Sequence, residues 1–207
     1  MWLPVNDLQK SLDDSQMDKL IEMTTDRLRL RQWKKDDFPA FAALNADAEV
    51  MKYYPGVLTQ LESNDMAERF EALLEYNGWG FWVVEKLDDK KFMGFVGLNE
   101  PTYELPVTPC IEIGWKLAKE YWGYGYASEA AKASLAVAFE ELDLSEVYSF
   151  TSVLNKKSQA VMERLGMIDM KKNFKHPMIP ADHKLSEHVL YKLEKKNWLN
   201  NKSGLSV

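Results

Sequence analysis

The stretch KEYWGYGYASEAAKASLAVAF, Lys119 to Phe139, places two glycines and a small residue directly ahead of a long alanine-rich helical pattern. A strand-like segment, CIEIGWKL from Cys110 to Leu117, runs into it, so the chain must contain a strand, a glycine turn and a helix in close succession. Such a turn gathers free backbone N–H groups at the positive end of a helix dipole, which makes an anion site. Gly123 and Gly125 take conformations that other residues avoid, and Ala127 leaves room for a phosphate at the first helical turn. Ser128 and Glu129 suit a helix start, although Glu129 weakens the local positive potential. The same glycines equally suit a tight turn with close helix packing, so the surrounding pattern has to decide.

A phosphate loop of the nucleotide-hydrolase type ends in glycine, lysine and serine, and Tyr126-Ala127-Ser128 carries no lysine. A dinucleotide fingerprint needs a third glycine where Ser128 stands and a uniformly apolar strand before it. CIEIGWKL instead alternates. Ile111, Ile113, Trp115 and Leu117 share one face, and Cys110, Glu112, Gly114 and Lys116 the other, so one side of that strand meets something polar. A nucleotide-dependent oxidoreductase keeps only Glu146, which falls about where a ribose ligand would.

The rest of the chain reads as one mixed α/β unit. At 207 residues, with 46% hydrophobic and 12% aromatic content, it has enough apolar material for a full core. TDRLRLRQW from Thr25 alternates apolar and basic residues as a half-exposed strand, and Asp36 and Asp37 are placed to cap a helix over Phe38 to Ala48. A second helix fits Asn64 to Tyr76. Two strands, Phe81 to Lys86 and Phe92 to Leu98, follow around an Asp88-Asp89-Lys90 turn. After the long helix, Ala127 to Glu141, come a strand near Val147 to Val153 and a helix from Asn155 to Leu165 ended by Gly166. A strand near Met167 to Phe174 and a last strand HVLYKL, His188 to Leu193, close the unit. Residues 1–22 are expected as an amphipathic helical extension, 23–195 as the domain, and 196–207 as a polar tail. The formal net charge of −6 gives no basic face for nucleic acid, and the first twenty residues have no apolar run for a membrane span or signal peptide. With Cys110 as its one cysteine the chain has no internal disulfide, and the expected compartment is the cytoplasm.

EIGWKLAKEYWGYGYASEAAKASLAVAFEEL followed by NKKSQAVMERLGM resembles the GCN5-related N-acetyltransferases, and within them the RimJ/RimL-like branch that acetylates ribosomal-protein N-termini. The resemblance runs from Thr25 to Leu193. It implies a single domain with a twisted, mostly antiparallel sheet of about seven strands, helices on both faces and a splayed central strand pair. It also implies acetyl-CoA as co-substrate, no metal, and direct transfer to a primary amine of a small molecule or a protein N-terminus, by a monomer or homodimer. The family's glycine loop falls on Trp122, Gly123, Tyr124, Gly125, Tyr126, Ala127 and Ser128, with Trp122 standing where Arg or Gln is common. Backbone groups of the splayed strand, here Ile113, Trp115 and Leu117, are implied for the pantetheine arm and the thioester carbonyl. Asn155 is implied for the same arm, although capping a helix is its ordinary role. Ser158, on the inward face of that helix, is the implied acid for the leaving thiolate, and packing is its ordinary role.

The chemistry needs a neutral amine, a place for developing negative charge on oxygen, and a proton for the thiolate. A lysine amine, pKa ~10.4, is neutral in about one molecule in 2,500 at pH 7, and an α-amine near ~7.8 in about one in seven. Glu112, on the polar face of its strand, is the candidate base, with an ion-paired strand carboxylate as the plain alternative and Glu100 as the other acid in reach. Tyr126 and Tyr148 are reserve hydroxyl donors. Lys156 and Lys157 are placed for the 3′-phosphate of CoA or simply solvated. Cys110 has no nearby histidine to activate it, and His176, His183 and His188 match no familiar metal spacing. The acceptor side is expected from segments 36–76, 100–109 and 176–183. A noncatalytic acyl-CoA-binding module on the same fold is the rival reading.

Overall fold

A computed structural model describes residues 20–203 of the chain. Two short strands, β1 (Met23–Thr24) and β2 (Leu28–Arg31), precede helices α1 (Phe38–Ala46) and α2 (Gln60–Asn77). The hairpin β3 (Phe81–Lys86) and β4 (Phe92–Asn99) leads to β5 (Glu112–Leu117), and the glycine turn to α3 (Tyr126–Ala136), which widens into a π turn over Val137–Glu141. Then follow β6 (Glu146–Ser152), α4 (Lys156–Arg164), β7 (Ile168–Asp169), β8 (Phe174–Lys175), β9 (Glu187–Glu194) and α5 (Lys195–Ser203).

The strands form one sheet in the order β1-β2-β3-β4-β5-β6-β9-β7, with β8 also on β9. Every neighbouring pair is antiparallel except β5 and β6, which run parallel and meet through Glu112 opposite Tyr148. The expected splayed central pair is this one. Cross-strand register sets Val83, Phe95 and Lys116 in one row, Phe81, Gly97 and Gly114 in the next, then Asn99 and Glu112, all on one face. The α1 and α2 helices cover that face through Phe41 and Phe70, whose rings lie 5.9 and 5.1 Å from that of Phe95. Helices α3 and α4 cover the other. Burying Trp82, Phe41, Phe139 and Leu28 completely, the two layers of apolar side chains supply the main hydrophobic stabilisation.

Several elements differ from the sequence expectation for identifiable reasons. The α2 helix starts at Gln60 rather than Asn64, because Thr59 and Glu62 form a reciprocal capping box in which Thr59 N–H donates to Glu62 at 2.8 Å. Asp37 makes no side-chain cap to α1; its carboxylate instead accepts the Lys34 N–H at 2.8 Å, capping the short 3-10 turn ahead of that helix. The same carboxylate takes two 2.8 Å bonds from Arg31, which also reaches Glu85 at 2.6 Å, and all three groups are buried. So the third basic residue of RLRLR is not a solvated strand residue but the centre of a buried ion-pair triad. The expected strand 167–174 breaks in two, because Lys171 adopts φ 55° and turns the chain over Asp169, whose carboxylate accepts the Lys171 N–H at 2.8 Å. That break, with the short β1, raises the strand total to nine.

The proposed extension 1–22 lies outside the described residues up to position 19. From there Ile21 joins the domain, its N–H donating to Gly78 O at 2.9 Å and its carbonyl accepting from the Trp82 indole at 2.7 Å. The first residues of the expected polar tail form α5, whose Trp198 ring stacks 5.9 Å from Phe139.

Candidate active site

The glycine turn is built by backbone conformation. Gly123 and Gly125 both lie in the left-handed region, at φ 84° and 82°, and Gly125 is the N-cap of α3. The first internal bond of the helix end runs from Glu129 N–H to Gly125 O at 3.0 Å. Among the described residues the N–H groups of Gly123 through Ser128 have no hydrogen-bond partner, so a row of donors faces outward at the helix's positive end. This arrangement fits a diphosphate. Trp122 closes the turn from behind, its indole N–H donating to Leu117 O at 2.8 Å, and Lys157 of α4 lies 4.5 Å from its ring centre. Lys156 bonds Gln159 at 3.1 Å on its own helix. Ser128 accepts a long bond from Arg164 at 3.4 Å.

Arg27, just before β2, reaches into the same turn. It donates from Nε to Glu129 at 2.7 Å and from Nη1 to Tyr124 O at 3.0 Å, and its guanidinium lies 4.3 Å from the Tyr126 ring centre. Sequence pattern alone gave no reason to bring Arg27 here, since it lies 102 residues from Glu129.

From the Glu112–Tyr148 bridge the strands β5 and β6 diverge. The Ile113 carbonyl accepts from the Ser149 hydroxyl at 2.9 Å, and the Leu117 carbonyl from Trp122, so the odd-numbered residues of β5 turn their backbone groups away from β4 and into the gap. Ile113, Trp115 and Leu117 are those residues. The Trp115 indole N–H donates to Ser158 Oγ at 3.0 Å, which leaves the hydroxyl proton of Ser158 free to be given elsewhere. Asn155 caps α4, accepting the Ser158 N–H at 3.3 Å, and its amide donates to Thr151 at 3.0 Å. Trp115, Ser158 and Asn155 are thus brought to one gap, and the turn from Trp122 to Ser128 lies at the far end of the same strand.

The other side of β5 is made of side chains. Glu112 accepts from Asn99 at 2.7 Å, and burial pushes its carboxyl up to about 7 despite that bond. Tyr54 is near enough to feel its charge, with a phenol pushed up to about 12 first by burial and then by Glu112. Burial raises Tyr103 as well, with Glu112 the next cause. Lys116, 6% exposed, donates to Asn45 at 3.0 Å, touches Met51 sulfur at 3.5 Å and points at the Tyr54 ring, 4.1 Å from its centre. No carboxylate pairs with it among the described residues, and burial pulls its ammonium down to about 7. Alternation had put Lys116 on the face of Glu112; nothing local signalled its burial.

Glu100 is exposed, at the end of β4. Tyr148 donates a hydrogen bond from its hydroxyl to Glu146 at 2.7 Å, and burial followed by that bond pushes its phenol up to about 12. Tyr126 lies beneath Arg27. The Cys110 thiol is pushed up to about 11 by burial and then by Glu112, which makes it a poor nucleophile. His176 and His188 stack 4.9 Å apart, with Tyr103 Oη 3.3 Å from His176 Nε2, and burial followed by His188 lowers His176 to about 4. The third histidine, His183, accepts the Leu185 N–H at 3.2 Å. No group of three or more His, Cys, Asp or Glu side chains gathers among the described residues. The segments 36–76, 100–109 and 176–183 do converge here, through Tyr54, Tyr103 and His176.

Comparison with known proteins matches residues 27–168 to the model of the acetyltransferase (GNAT) domain. The uncharacterized protein YkkB of Bacillus subtilis is 30% identical over 152 residues, covering 73% of this chain and 87% of that one. A GNAT-family acetyltransferase structure from Bacillus anthracis superposes with TM-score 0.70 at 25% identity, covering 85% of this chain and 99% of that one. The ribosomal-protein-S5-alanine acetyltransferase of Vibrio fischeri shares the fold, with TM-score 0.68 at 18% identity over 86% of this chain and 98% of that one. No helix among the described residues is long and apolar enough to cross a membrane.

Proposed function

Since the chain belongs to the GNAT acetyltransferases, we propose that it transfers acetyl directly from acetyl-CoA to a primary amine, and that the amine is the α-amine of a protein or peptide N-terminus. Acetyl-CoA supplies an acyl thioester already activated for attack by nitrogen. The row of N–H groups from Gly123 to Ser128 binds its diphosphate, and the gap-facing backbone of Ile113, Trp115 and Leu117, with Asn155, binds the pantetheine arm and the thioester carbonyl. Glu112 removes the proton from the incoming ammonium. As the new C–N bond forms and the C–S bond breaks, Ser158, its oxygen held by the Trp115 indole, passes its proton to the departing sulfur and takes one back, through solvent, from the acylated nitrogen.

The observation that carries the α-amine is the half-buried Glu112 carboxyl, held by Asn99 and raised to about 7. Taking a proton from an α-ammonium near ~7.8 costs such a base about 1 kcal/mol, whereas a lysine ammonium near ~10.4 costs about 5 kcal/mol. The α-amine is the smaller demand on that base. The resemblance of the glycine turn and α4 to the ribosomal-protein N-terminal branch supports the same choice.

Two versions of one peptide test it, one with a free α-amine and blocked lysines, the other with a blocked α-amine and free lysines. Acetyl-CoA turnover followed by mass spectrometry should place the acetyl group on the α-amine, with kcat/KM at least about tenfold above that of the lysine version. Equal or greater modification of lysine overturns the α-amine assignment. CoA affinity without turnover on peptides, polyamines or amino sugars points to an acyl-CoA-binding module.

A further inference from the structure

Glu129 presents an electrostatic problem. It stands one turn into α3, at the helix end whose free N–H groups would receive a diphosphate, and a bare carboxylate there repels any phosphate. Both of its oxygens are occupied. One accepts the Thr25 hydroxyl at 2.6 Å and the Arg27 N–H at 3.0 Å; the other accepts Arg27 Nε at 2.7 Å and pairs with Arg27 Nη2 at 2.6 Å. Burial by itself would raise this carboxyl, yet the bonds from Thr25 and Arg27 hold it below the usual carboxylate range.

Arg27 has one arm left. Nη1 donates to Tyr124 O at 3.0 Å, while the guanidinium face packs 4.3 Å from the Tyr126 ring centre. A peptide unit is planar and trans, so its carbonyl and N–H point in opposite directions. Drawing the Tyr124 carbonyl toward Arg27 therefore turns the Gly125 N–H the other way, into the outward row. From these contacts we infer that Arg27 is a positioning residue for the acyl donor: it cancels the Glu129 charge and fixes the Tyr124–Gly125 peptide so that the turn is preset for a diphosphate. The inference rests on the reading that this turn holds the diphosphate of acetyl-CoA.

The test compares Arg27→Ala, Arg27→Lys, Glu129→Gln and the double variant Arg27→Ala/Glu129→Gln, with Gly125→Val as a control on the underlying reading. CoA binding is measured by calorimetry, alongside KM for acetyl-CoA, KM for the amine and kcat. Arg27→Ala should weaken CoA binding about tenfold, with the loss in KM for acetyl-CoA rather than in kcat or the amine's KM. Removing the stranded charge in the double variant should recover about threefold of that loss. Arg27→Lys keeps the charge without the forked geometry and should fall between wild type and Arg27→Ala. A merely structural Arg27 predicts parallel losses in all constants and a double variant no better than Arg27→Ala; either result overturns the inference. CoA binding unchanged in both Arg27→Ala and Gly125→Val sinks the diphosphate reading itself. Binding lost in Gly125→Val but unchanged in Arg27→Ala sinks only the role of Arg27. Circular dichroism and melting confirm that each variant is folded, and the milder Glu129→Gln and Arg27→Lys keep the test open if Arg27→Ala is not.

Discussion

The two sides of β5 are made of different material. Toward the gap and the glycine turn the working groups are backbone N–H and C=O, set by two left-handed glycines, a helix N-terminus and a strand that has lost its neighbour. Toward α1 and α2 the working groups are side chains drawn from separate segments: a buried Lys116, half-buried Glu112 and Tyr103, and a more exposed Tyr54. A backbone site has no charge to titrate and is damaged by adding atoms. A side-chain site is damaged by removing them, and its ionisable groups give it a pH dependence. Substitutions on the two sides should therefore fail in different constants.

The largest expected effect is on the side-chain half. Glu112→Gln should lower turnover at pH 7 by about a hundredfold to a thousandfold without changing CoA affinity. Wild-type rate should rise with pH through about 7 as Glu112 ionises, and the variant's deficit should shrink toward alkaline pH, where the free amine becomes abundant unaided. A uniform loss across the pH profile would mean a structural role for Glu112.

Gly125→Val comes next, on the backbone half. A β-branched residue at φ 82° is strained, and its Cβ would stand 3.6 Å from the Arg27 guanidinium that ties the turn to Glu129. CoA affinity should fall about a hundredfold while the shape of the pH profile stays that of wild type. A folded variant with normal affinity would break the comparison.

Ser158→Ala crosses between the halves, since Ser158 is a side chain working in the gap. A thiolate near pKa ~8.5 leaves fairly well alone, so turnover should drop about tenfold to a hundredfold with acetyl-CoA affinity retained. The loss should be smaller with an acyl donor whose leaving thiol is more acidic. Equal losses in binding and turnover would make the hydroxyl a binding contact instead.

The smallest effect on rate belongs to Lys116→Met, expected within about threefold, yet it should change stability in a pH-dependent way. The native Lys116 ammonium is lowered to about 7, whereas the unfolded chain holds that proton to ~10.4. The unfolded state therefore binds more protons between these values, and wild-type stability should rise with pH across that window. Between pH 7 and pH 9 the gain from this group should be about 2 to 3 kcal/mol, and denaturant unfolding of Lys116→Met should lack it. The same slope in both proteins would show that Lys116 is not a buried, easily neutralised amine.

The same division explains what the sequence made legible. Glycines ahead of an alanine-rich helix, an asparagine opening α4 and a glycine closing it are local features with local causes, and each fell where expected. Glu112 was legible because strand alternation alone puts it on the polar face. Arg27 and the burial of Lys116 were not, because each depends on a distant segment: Glu129 in the first case, Asn45, Met51 and Tyr54 in the second. Asp37 shows the limit from the other direction. Its position reads as a cap for α1, and the carboxylate is taken instead by the Lys34 N–H and the buried Arg31 beside it.

The single bridge between β5 and β6 gives the sheet a seam. On one side lie β1 to β5 under α1 and α2; on the other lie β6 to β9 with α4 against them. Besides the Glu112–Tyr148 pairing, side-chain bonds tie it among the described residues, the Ser149 hydroxyl to the Ile113 carbonyl and the Trp115 indole to Ser158. An extended pantetheine arm carries amide groups of its own, so in that gap it would pair with β5 much as a missing strand does. On the proposed reading the acyl donor would then serve as a temporary piece of secondary structure, and the sheet would be continuous across the seam only while it is bound. Release of CoA would then reopen the seam, which would link the pace of product departure to the stiffness of the fold.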